Sequence, residues 1–335
     1  MPAETDPQER VWMAFPRDWT IATESSPDVA RAAWSAVAHA VIDFEPVTMV
    51  VDPRDIAVAR ALLSSQIDIV EAPLDDAWMR DIGPTFVLDA DGQLGAVDWV
   101  FNGWGQQDGV EWEHDSDIAR IVAELAGAEL IASPMVNEGG GIHVDGNGSV
   151  LVTDTVQLDP DRNRGWDKPS VEAELERTIG AEHVIWLPRG LTRDYEQFGT
   201  RGHVDIVASI PAPGVVLAHA QRDAAHPDHA VTKQIGDVLV NSSDATGSAW
   251  DIVEVPAPVT LRDEVDWVDY SYINHLVVNG GVIASSFGDA NDEQARGILA
   301  EAYPGRDVVL VESRPLFARG GGIHCITQQQ PVGAR

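Results

Sequence analysis

The sequence Gly320-Gly321-Gly322-Ile323-His324-Cys325 repeats the five residues Gly139-Gly140-Gly141-Ile142-His143 and adds the only cysteine of the 335-residue chain. A second echo links His143-Val144-Asp145 to His203-Val204-Asp205. Asp81 precedes His143 by 62 residues, His143 precedes His203 by 60, and His203 precedes His324 by 121, close to two such steps. A period near 60 residues fits about five times into the chain. Repeats of this kind indicate units arranged around an axis, each bringing one strand end to the centre.

Helical and extended segments alternate along the chain, which predicts an α/β fold. Ser26-Pro27 can cap and open a helix in which apolar residues recur every four positions from Val29 to Val41, and Pro46 ends it. The same signals predict a strand at 47–51, a helix at 55–63, an extended segment at 67–70, and a helix bracketed by Pro169 and Gly180.

Surface loops are predicted at Asp159–Lys168 and Asn241–Ser248, where polar residues cluster. No linker separates the chain into halves. We therefore expect residues 1–335 to form a single catalytic domain.

The charge of the chain excludes some partners. Its 54 acidic and 22 basic side chains give a net charge of −32, which repels nucleic acid and anionic membrane surfaces but attracts a small cation. Charge alone identifies no ligand. The N-terminus lacks a signal-peptide pattern, no apolar stretch reaches the roughly 18 residues needed to span a bilayer, and a single cysteine fits a reducing compartment. These features predict a cytoplasmic protein.

Cys325 is the candidate nucleophile, because it stands alone in a distinctive segment, directly after a histidine. The alternative is a small buried hydrophobic residue, which is the usual state of a single cysteine. Ile323 and Ile326 flank the His-Cys pair and favour a strand at this point.

Four segments together offer a thiol, histidines and several carboxylates: residues 78–84, 137–146, 200–205 and the segment with Cys325. A thiolate attacks electron-poor carbon, a histidine moves protons, and two carboxylates can hold a planar cation. A guanidinium carbon requires all three, so the set indicates a guanidine-modifying enzyme.

Other interpretations remain open at this level. A Cys-His-Asp protease uses the same residue types but needs only one carboxylate. His143, His203 and Asp205 lack the spacing of a common zinc site, so no metal is expected. Asp81 can be a turn acid beside Arg80. Trp78 can be core or can stack on a guanidinium.

The chain resembles the agmatine deiminases, a family shared with bacterial-type peptidyl-arginine deiminases, over nearly its whole length. The resemblance rests on residues 12–16, 44–48, 78–84, 98–105, 138–146, 186–191, 202–205, 279–281 and 324–331.

The resemblance implies a five-bladed pseudo-symmetric α/β propeller of the pentein type and hydrolytic deimination of a small guanidine compound. It implies Cys325 as nucleophile, His203 as acid and base, and Asp81 and Asp205 as guanidinium ligands. The remaining substrate-binding candidates are Trp78, Glu138, Arg201 and Asn274. No cofactor or metal is expected. With agmatine as substrate the products are N-carbamoylputrescine and ammonia, a step toward putrescine in polyamine biosynthesis. A homodimer is compatible with the sequence, although no residue specifies it.

Three positions depart from the family pattern. Gly199 stands where an aspartate is usual, Arg201 replaces a usual asparagine, and Gly322 stands where asparagine is common. The first two lie in the segment that recognises the substrate tail. The departures keep open a deiminase of arginine or of a guanidino acid whose carboxylate pairs with Arg201, while Arg201 bonded to Asp194 or Glu196 is the structural alternative. An amidinotransferase and a non-catalytic guanidine-binding protein also remain open.

Overall fold

Five small β-sheets build the fold within residues 1–17, 26–195 and 199–334, the residues that the computed structural model describes. The first sheet contains, in spatial order, β16 (Thr327–Pro331), β1 (Gln8–Ala14), β2 (Val47–Val51) and β3 (Asp68–Glu71). The other four sheets have three strands each: β4 (Thr85–Leu88), β5 (Leu94–Val100) and β6 (Glu129–Val136); β7 (His143–Val144), β8 (Ser149–Thr153) and β9 (His183–Leu187); β10 (Ala208–Ala212), β11 (Val215–Ala220) and β12 (Asp251–Pro256); β13 (Leu276–Val278), β14 (Gly281–Ser286) and β15 (Asp307–Glu312).

Helices connect and flank these strands in the described residues. They are α1 (Pro27–Ile42), α2 (Ile56–Leu62), α3 (Met79–Ile82), α4 (Gly103–Gln106), α5 (Ile118–Ala126), α6 (Asp154–Gln157), α7 (Lys168–Ile179), α8 (Thr192–Tyr195), α9 (Asp228–Val240), α10 (Asp292–Ala302) and α11 (Arg314–Phe317). Single 3₁₀ turns occur at Asp115–Asp117, Gly139–Gly141 and Val204–Ile206. Among the described residues no helix is both long and apolar enough to cross a membrane.

Each three-stranded sheet has the same plan. Its first two strands are antiparallel, and its second and third strands are parallel. A parallel pair needs a crossover, which a helix supplies between the second and third strands: α5, α7, α9 or α10. The second strands begin at Leu94, Ser149, Val215 and Gly281, in steps of 55, 66 and 66 residues. The period near 60 residues and the five-bladed α/β propeller are therefore confirmed.

The first sheet joins the two ends of the chain. β16 lies antiparallel to β1, with Met13 opposite Thr327 and Trp12 opposite Gln328, and β1 lies parallel to β2. The indole N–H of Trp12 donates to Gln330 Oε1 at 2.9 Å across this pair. The sheet thus follows the plan of the others, with its first strand supplied by the C-terminal segment.

The helices and strands predicted between residues 27 and 71 and the helix predicted near 169–180 are confirmed with small shifts at their ends. α1 begins at Pro27, after an extended Ser26, but Val29 is exposed and the buried stripe starts at Ala30. α7 has the expected ends, since the Asp167 carboxylate accepts the Ser170 N–H and Gly180 takes a left-handed φ of 71°.

Both predicted surface loops are present, but the first of them also contains buried polar side chains. In Asp159–Lys168 the side chains of Asp159, Arg162 and Asn163 are buried. Asn163 donates to the carbonyl groups of Val136 and Gln157. Polar composition predicted exposure, but here the polar groups satisfy one another inside the protein. In Asn241–Ser248 only Asp244 is buried.

Apolar side chains fill the space between each sheet and its helix. Val231 and Ile235 of α9, for example, share one buried cluster with Val216 of β11 and Ile185 of β9. Burial of this apolar surface stabilises the blades. The segments that pass from one sheet to the next carry buried polar side chains instead, and the candidate site is built from them.

Candidate active site

Every connection between neighbouring sheets contributes a residue to one buried cluster. The residues and their connections are Asp81 between β3 and β4, Glu138 between β6 and β7, His203 and Asp205 between β9 and β10, Asn274 between β12 and β13, and Cys325 between β15 and β16. All of them are at most 5% exposed. The predicted catalytic residues Cys325, His203, Asp81 and Asp205 are therefore brought together by the ring.

Cys325 lies in a turn, so the strand predicted around the His-Cys pair is wrong. Thr327 closes this turn by donating its N–H to the His324 carbonyl at 3.1 Å, and β16 begins only at Thr327. Neighbouring residues of a strand point to opposite faces. Here both side chains contact one oxygen, because Asp205 Oδ2 lies 2.8 Å from His324 Nδ1 and 3.7 Å from Cys325 Sγ.

The Cys325 thiol is buried beside an amide and two carboxylates. Asn274 Nδ2 lies 3.2 Å from Sγ and can donate to it. Burial, followed by the negative charges of Asp205 and Asp81, raises the pKa of Cys325 well above its ordinary value. The thiol is therefore protonated at neutral pH.

His203 is fully buried between two carboxylates. Its Nε2 lies 3.2 Å from Glu138 Oε2, and its Nδ1 lies 3.8 Å from Asp81 Oδ1. Burial lowers the pKa of His203, but Asp81 and Glu138 outweigh that effect and raise it to about 9. The imidazole is therefore protonated at neutral pH and can act as an acid. A Cβ at Gly140 would lie 2.4 Å from Nδ1, so only glycine fits there.

Asp81 is held by two donors. Its Oδ2 accepts the indole N–H of Trp104 at 2.9 Å, and its Oδ1 accepts the Gly140 N–H at 3.2 Å. Burial raises the pKa of Asp81 to about 6, although His203 lowers it. Trp104 adopts a left-handed φ of 54° between two glycines with positive φ. No role was predicted for Trp104, whose signals are its two flanking glycines and its place in the stretch 98–105 that carries the family resemblance.

Asp205 keeps one oxygen available. Its Oδ2 accepts from His324, whereas its buried Oδ1 has no hydrogen-bond partner among the described residues. Burial raises the pKa of Asp205, but His324 outweighs this effect and lowers it below the ordinary value. Asp205 is therefore ionised, and its Oδ1 is an acceptor without a partner among the described residues, on the carboxylate whose Oδ2 lies 3.7 Å from Cys325 Sγ.

Comparisons with known proteins agree with this geometry. Residues 1–331 match the model of the Porphyromonas-type peptidyl-arginine deiminases. The chain belongs to this family. An agmatine deiminase of Stutzerimonas stutzeri is 39% identical, with 99% of this chain and 95% of that protein covered. A Streptomyces coelicolor protein that carries the same name provisionally is 57% identical, with 99% and 98% covered. A solved agmatine deiminase of Enterococcus faecalis is 32% identical and has a TM-score of 0.92, with 99% and 95% covered.

In this chain the Glu138 carboxylate contacts protein groups on two sides. Arg162 Nε lies 3.0 and 3.1 Å from its two oxygens, and His203 Nε2 lies 3.2 Å from Oε2. Arg162 also binds Asp159 at 2.8 Å and donates to the Thr200 carbonyl at 2.7 Å. Glu138 was predicted to bind substrate. Its contacts with Arg162 and His203 also allow it to orient the His203 ring. Arg162 was missed because it lies in a segment predicted to be an exposed loop.

Trp78 and Asn274 both lie beside Cys325. A Cβ at Gly321 would lie 2.7 Å from the Trp78 ring and 3.0 Å from Cys325 Sγ, so the glycine separates the ring from the thiol. Trp78 packs edge-to-face on Trp34 at 5.4 Å. The position of Asn274 also accounts for the glycine at position 322, because a Cβ there would lie 2.4 Å from Asn274 Oδ1.

Arg201 is bonded to its own loop. Its backbone N–H donates to the Asp194 carbonyl at 3.0 Å, and its guanidinium donates to the Tyr195 carbonyl at 3.4 Å. A predicted alternative, an ion pair with Glu196, lies outside the described residues. Gly199 is pressed against Asp194, whose carbonyl oxygen would lie 1.9 Å from a Cβ, so this backbone admits no side chain there.

The buried Asp194 carboxylate holds this loop in place. It accepts the N–H and the hydroxyl of Thr200 at 2.8 and 2.7 Å, and the N–H of His203 at 3.0 Å. Asp194 therefore fixes the backbone position of His203.

One cluster of described residues has the composition of a metal site. Glu4, His143 and His324 each offer an atom within 4.8 Å of the others. A cation is already present, however, because Arg80 Nη1 lies 3.7 Å from the Glu4 carboxylate. Burial lowers the pKa of His143, which leaves it neutral. The arrangement fits a polar network better than a metal centre. Glu4 and His324 received no role in the sequence analysis.

Proposed function

We propose that this chain is an agmatine deiminase, a hydrolase that converts agmatine and water into N-carbamoylputrescine and ammonia. The observation that carries the proposal is the ionised Asp205, whose buried Oδ1 lacks a partner among the described residues while its Oδ2 lies 3.7 Å from the only thiol. Such an oxygen is costly to bury unless a donor binds it. A guanidinium supplies N–H donors and a positive charge together. The agmatine deiminases among the relatives support this substrate.

Charge balance gives Cys325 its reactivity. Without a bound substrate the thiol is protonated, because burial and the negative charges of Asp205 and Asp81 raise its pKa. When a guanidinium binds between Asp81 and Asp205, one positive charge enters and the thiol proton is released to solvent. The thiolate then lies beside an electron-poor carbon, with Asn274 Nδ2 3.2 Å from Sγ to stabilise it.

The first half of the reaction forms a covalent intermediate. Sγ bonds to the guanidinium carbon and gives a tetrahedral adduct. Protonated His203 transfers its proton to one amino group, the C–N bond breaks, and ammonia departs. An amidino-thioether cation remains on Cys325, held by the same carboxylates. The pKa of about 9 keeps the required proton on His203 at neutral pH.

The second half releases the ureido product. Neutral His203 takes a proton from water, and the hydroxide attacks the same carbon. The C–S bond then breaks, and the departing thiolate takes the proton of the oxygen, which completes the ureido group and restores the thiol. The roles of Asp81 and Asp205 are to hold the cation and disperse its charge in both adducts. Within this proposal Trp78 lines the site, and residues 1–335 act as one catalytic domain in the cytoplasm.

The contacts of Arg201 bear on the guanidino-acid alternative. Its guanidinium already donates to the Tyr195 carbonyl, which favours the structural role over pairing with a substrate carboxylate. No observation among the described residues favours amidino transfer to an amine over transfer to water.

The test is a substrate panel of agmatine, arginine and guanidinobutyrate, each assayed for ammonia and for the ureido product without added amine. We expect agmatine to have the highest kcat/KM and to yield equal amounts of both products. Ammonia-free turnover, or turnover only with an added amine, would instead establish a transferase. A clear preference for guanidinobutyrate would restore the guanidino-acid reading of Arg201.

A further inference from the structure

His324 links Asp205 to a second carboxylate. Its Nδ1 lies 2.8 Å from Asp205 Oδ2, and its Nε2 lies 2.8 Å from Glu4 Oε1. All three side chains are buried. An imidazole can donate from both nitrogens only when it is protonated. The two short contacts therefore describe an imidazolium held between two carboxylates.

Glu4 reaches this position from a segment 320 residues away in sequence. The Glu4 carbonyl accepts from Gln8 Nε2 at 2.7 Å, and the Gln8 N–H donates to Asn279 Oδ1 at 3.1 Å. One residue earlier, Ala3 packs against Gly146, where a Cβ would lie 2.8 Å from the Ala3 nitrogen. The backbone around Glu4 is thus fixed on both sides.

Arg80 completes the charge balance. Its Nη1 lies 3.7 Å from Glu4 Oε1, and its Nε donates to the His324 carbonyl at 3.3 Å. Two carboxylates thus face one imidazolium and one guanidinium in a region with little water. If Glu4 were neutral, Asp205 would be the one carboxylate left to balance the charges of His324 and Arg80. Asp205 would then be attracted more strongly to these two residues, and this attraction would compete with its binding of the substrate.

We propose that Glu4 is a positioning residue, which holds His324 so that Asp205 presents its free Oδ1 to the guanidinium next to Cys325. The inference rests on the proposed function, because it gives Asp205 the role of a guanidinium ligand. Glu4 itself contacts neither the thiol nor the substrate in this scheme. It acts by fixing the charge and orientation of His324 and Asp205, which lie between Glu4 and the substrate.

The test uses two alkylating agents of the same size, the cationic chloroacetamidine and the neutral chloroacetamide. With each agent the Cys325 sulfur bonds to the methylene carbon, chloride leaves, and the thiol proton is released. The ratio of the two alkylation rates measures how well the site holds an amidinium cation near the sulfur. It requires no knowledge of the physiological substrate.

The variant is Glu4→Gln, and the matched control is Glu9→Gln, the same change at an exposed residue of the adjoining strand. We expect the wild type and the control to prefer chloroacetamidine. In Glu4→Gln that preference should fall by roughly tenfold to a hundredfold, the loss that a small misplacement of a binding group causes. KM should rise more than kcat falls, and Glu4→Asp should restore part of the preference.

The outcomes separate the two proposals. A wild type that alkylates equally fast with both agents would overturn the guanidinium site itself. A wild type with a clear preference that Glu4→Gln retains would overturn only the role of Glu4. An equal loss of both rates in folded Glu4→Gln would also overturn it, because that result reports a general change around the thiol. If circular dichroism shows that Glu4→Gln is unfolded, the ratio of the two alkylation rates is measured in His324→Asn instead. The asparagine amide can still donate to Asp205, whereas the contact with Glu4 is lost.

Discussion

Replacement of Trp104 by phenylalanine tests whether Asp81 must be ionised for the reaction. The indole N–H of Trp104 donates to Asp81 Oδ2 at 2.9 Å, in a place where both side chains are buried. Phenylalanine keeps most of the apolar ring but has no donor. The change therefore removes one hydrogen bond to a charged acceptor and leaves the remaining contacts of Asp81 in place.

The expected magnitude follows from that bond. A hydrogen bond to a charged group is worth about 1.5–3 kcal/mol, and about 1.4 kcal/mol corresponds to one pKa unit. The Trp104 bond favours the carboxylate, so its loss raises the pKa of Asp81 from about 6 to roughly 7 or 8. A guanidinium needs the ionised form, which exists above this pKa and disappears as the pH falls through it. The variant should therefore lose activity at a higher pH than the wild type.

The assay is ammonia release from agmatine, with kcat/KM measured across the pH range. In the wild type the acid side of the profile should fall near pH 6, where Asp81 takes up its proton, and the alkaline side near pH 9, where His203 loses its proton. Trp104→Phe should move only the acid side, which narrows the active range. At neutral pH kcat/KM should fall by roughly twofold to tenfold.

Trp99→Phe is the matched control. Its indole N–H also donates at 2.9 Å from a buried position, but to the neutral Thr85 hydroxyl. The control should leave both sides of the profile unchanged, even if it lowers the melting temperature. A Trp104→Phe profile that superimposes on that of the wild type would refute the link between this hydrogen bond, the ionisation of Asp81 and catalysis.

Three further changes address the nucleophile, the cation and the substrate tail. Cys325→Ala should abolish turnover in a protein with unchanged circular dichroism, and measurable turnover there would exclude covalent catalysis because no other cysteine exists. Asp205→Asn removes a charge from a buried pair, which costs about 3–5 kcal/mol, so kcat/KM should fall by roughly two to three and a half decades; near-normal kinetics would remove Asp205 from the site. Arg201→Asn should change kcat/KM for agmatine less than about twofold, the usual range for a surface contact, since the guanidinium donates to the Tyr195 carbonyl; a reversed preference between agmatine and guanidinobutyrate would contradict this.

The period of the fold could be predicted because two short signals recur along the chain, whereas the five-bladed propeller followed from the family resemblance. The glycine-led repeats at 139–143 and 320–324 lie in equivalent connections between sheets, so their spacing reported the size of a blade. The same connections hold Asp81, His203, Asp205 and Cys325, and a ring brings such connections to one place. The period and the clustering of these residues were thus accessible from the sequence, and their catalytic roles stay predictions.

The supporting residues could not be found in the same way. Glu4 meets His324 across 320 residues, and Trp104 meets Asp81 across 23 residues that contain the β4–β5 hairpin. Such pairs leave no periodic pattern. Arg162 was hidden by a polar surrounding sequence that indicated exposure. The turn at Cys325 was mistaken for a strand because Ile323 and Ile326 have a high strand propensity, whereas the contact of His324 and Cys325 with one carboxylate is a tertiary effect.

The pairing of β1 with β16 ties the chemistry to the order in which the molecule folds. Gln8 meets Pro331 in this pair, so the contact joins segments separated by nearly the whole chain. Forming it carries a larger loop-closure entropy than pairing strands within one blade, and contacts of long sequence separation slow folding. Cys325 lies two residues before β16, its neighbour His324 contacts Glu4, and the negative charge of Asp81 acts on its thiol, so residues from the N-terminal part of the chain complete its surroundings. A chain whose blades have formed but whose ring is open therefore holds Cys325 without the charge of Asp81 beside its thiol and without Glu4 beside His324. The nucleophile becomes selective only in the completed ring.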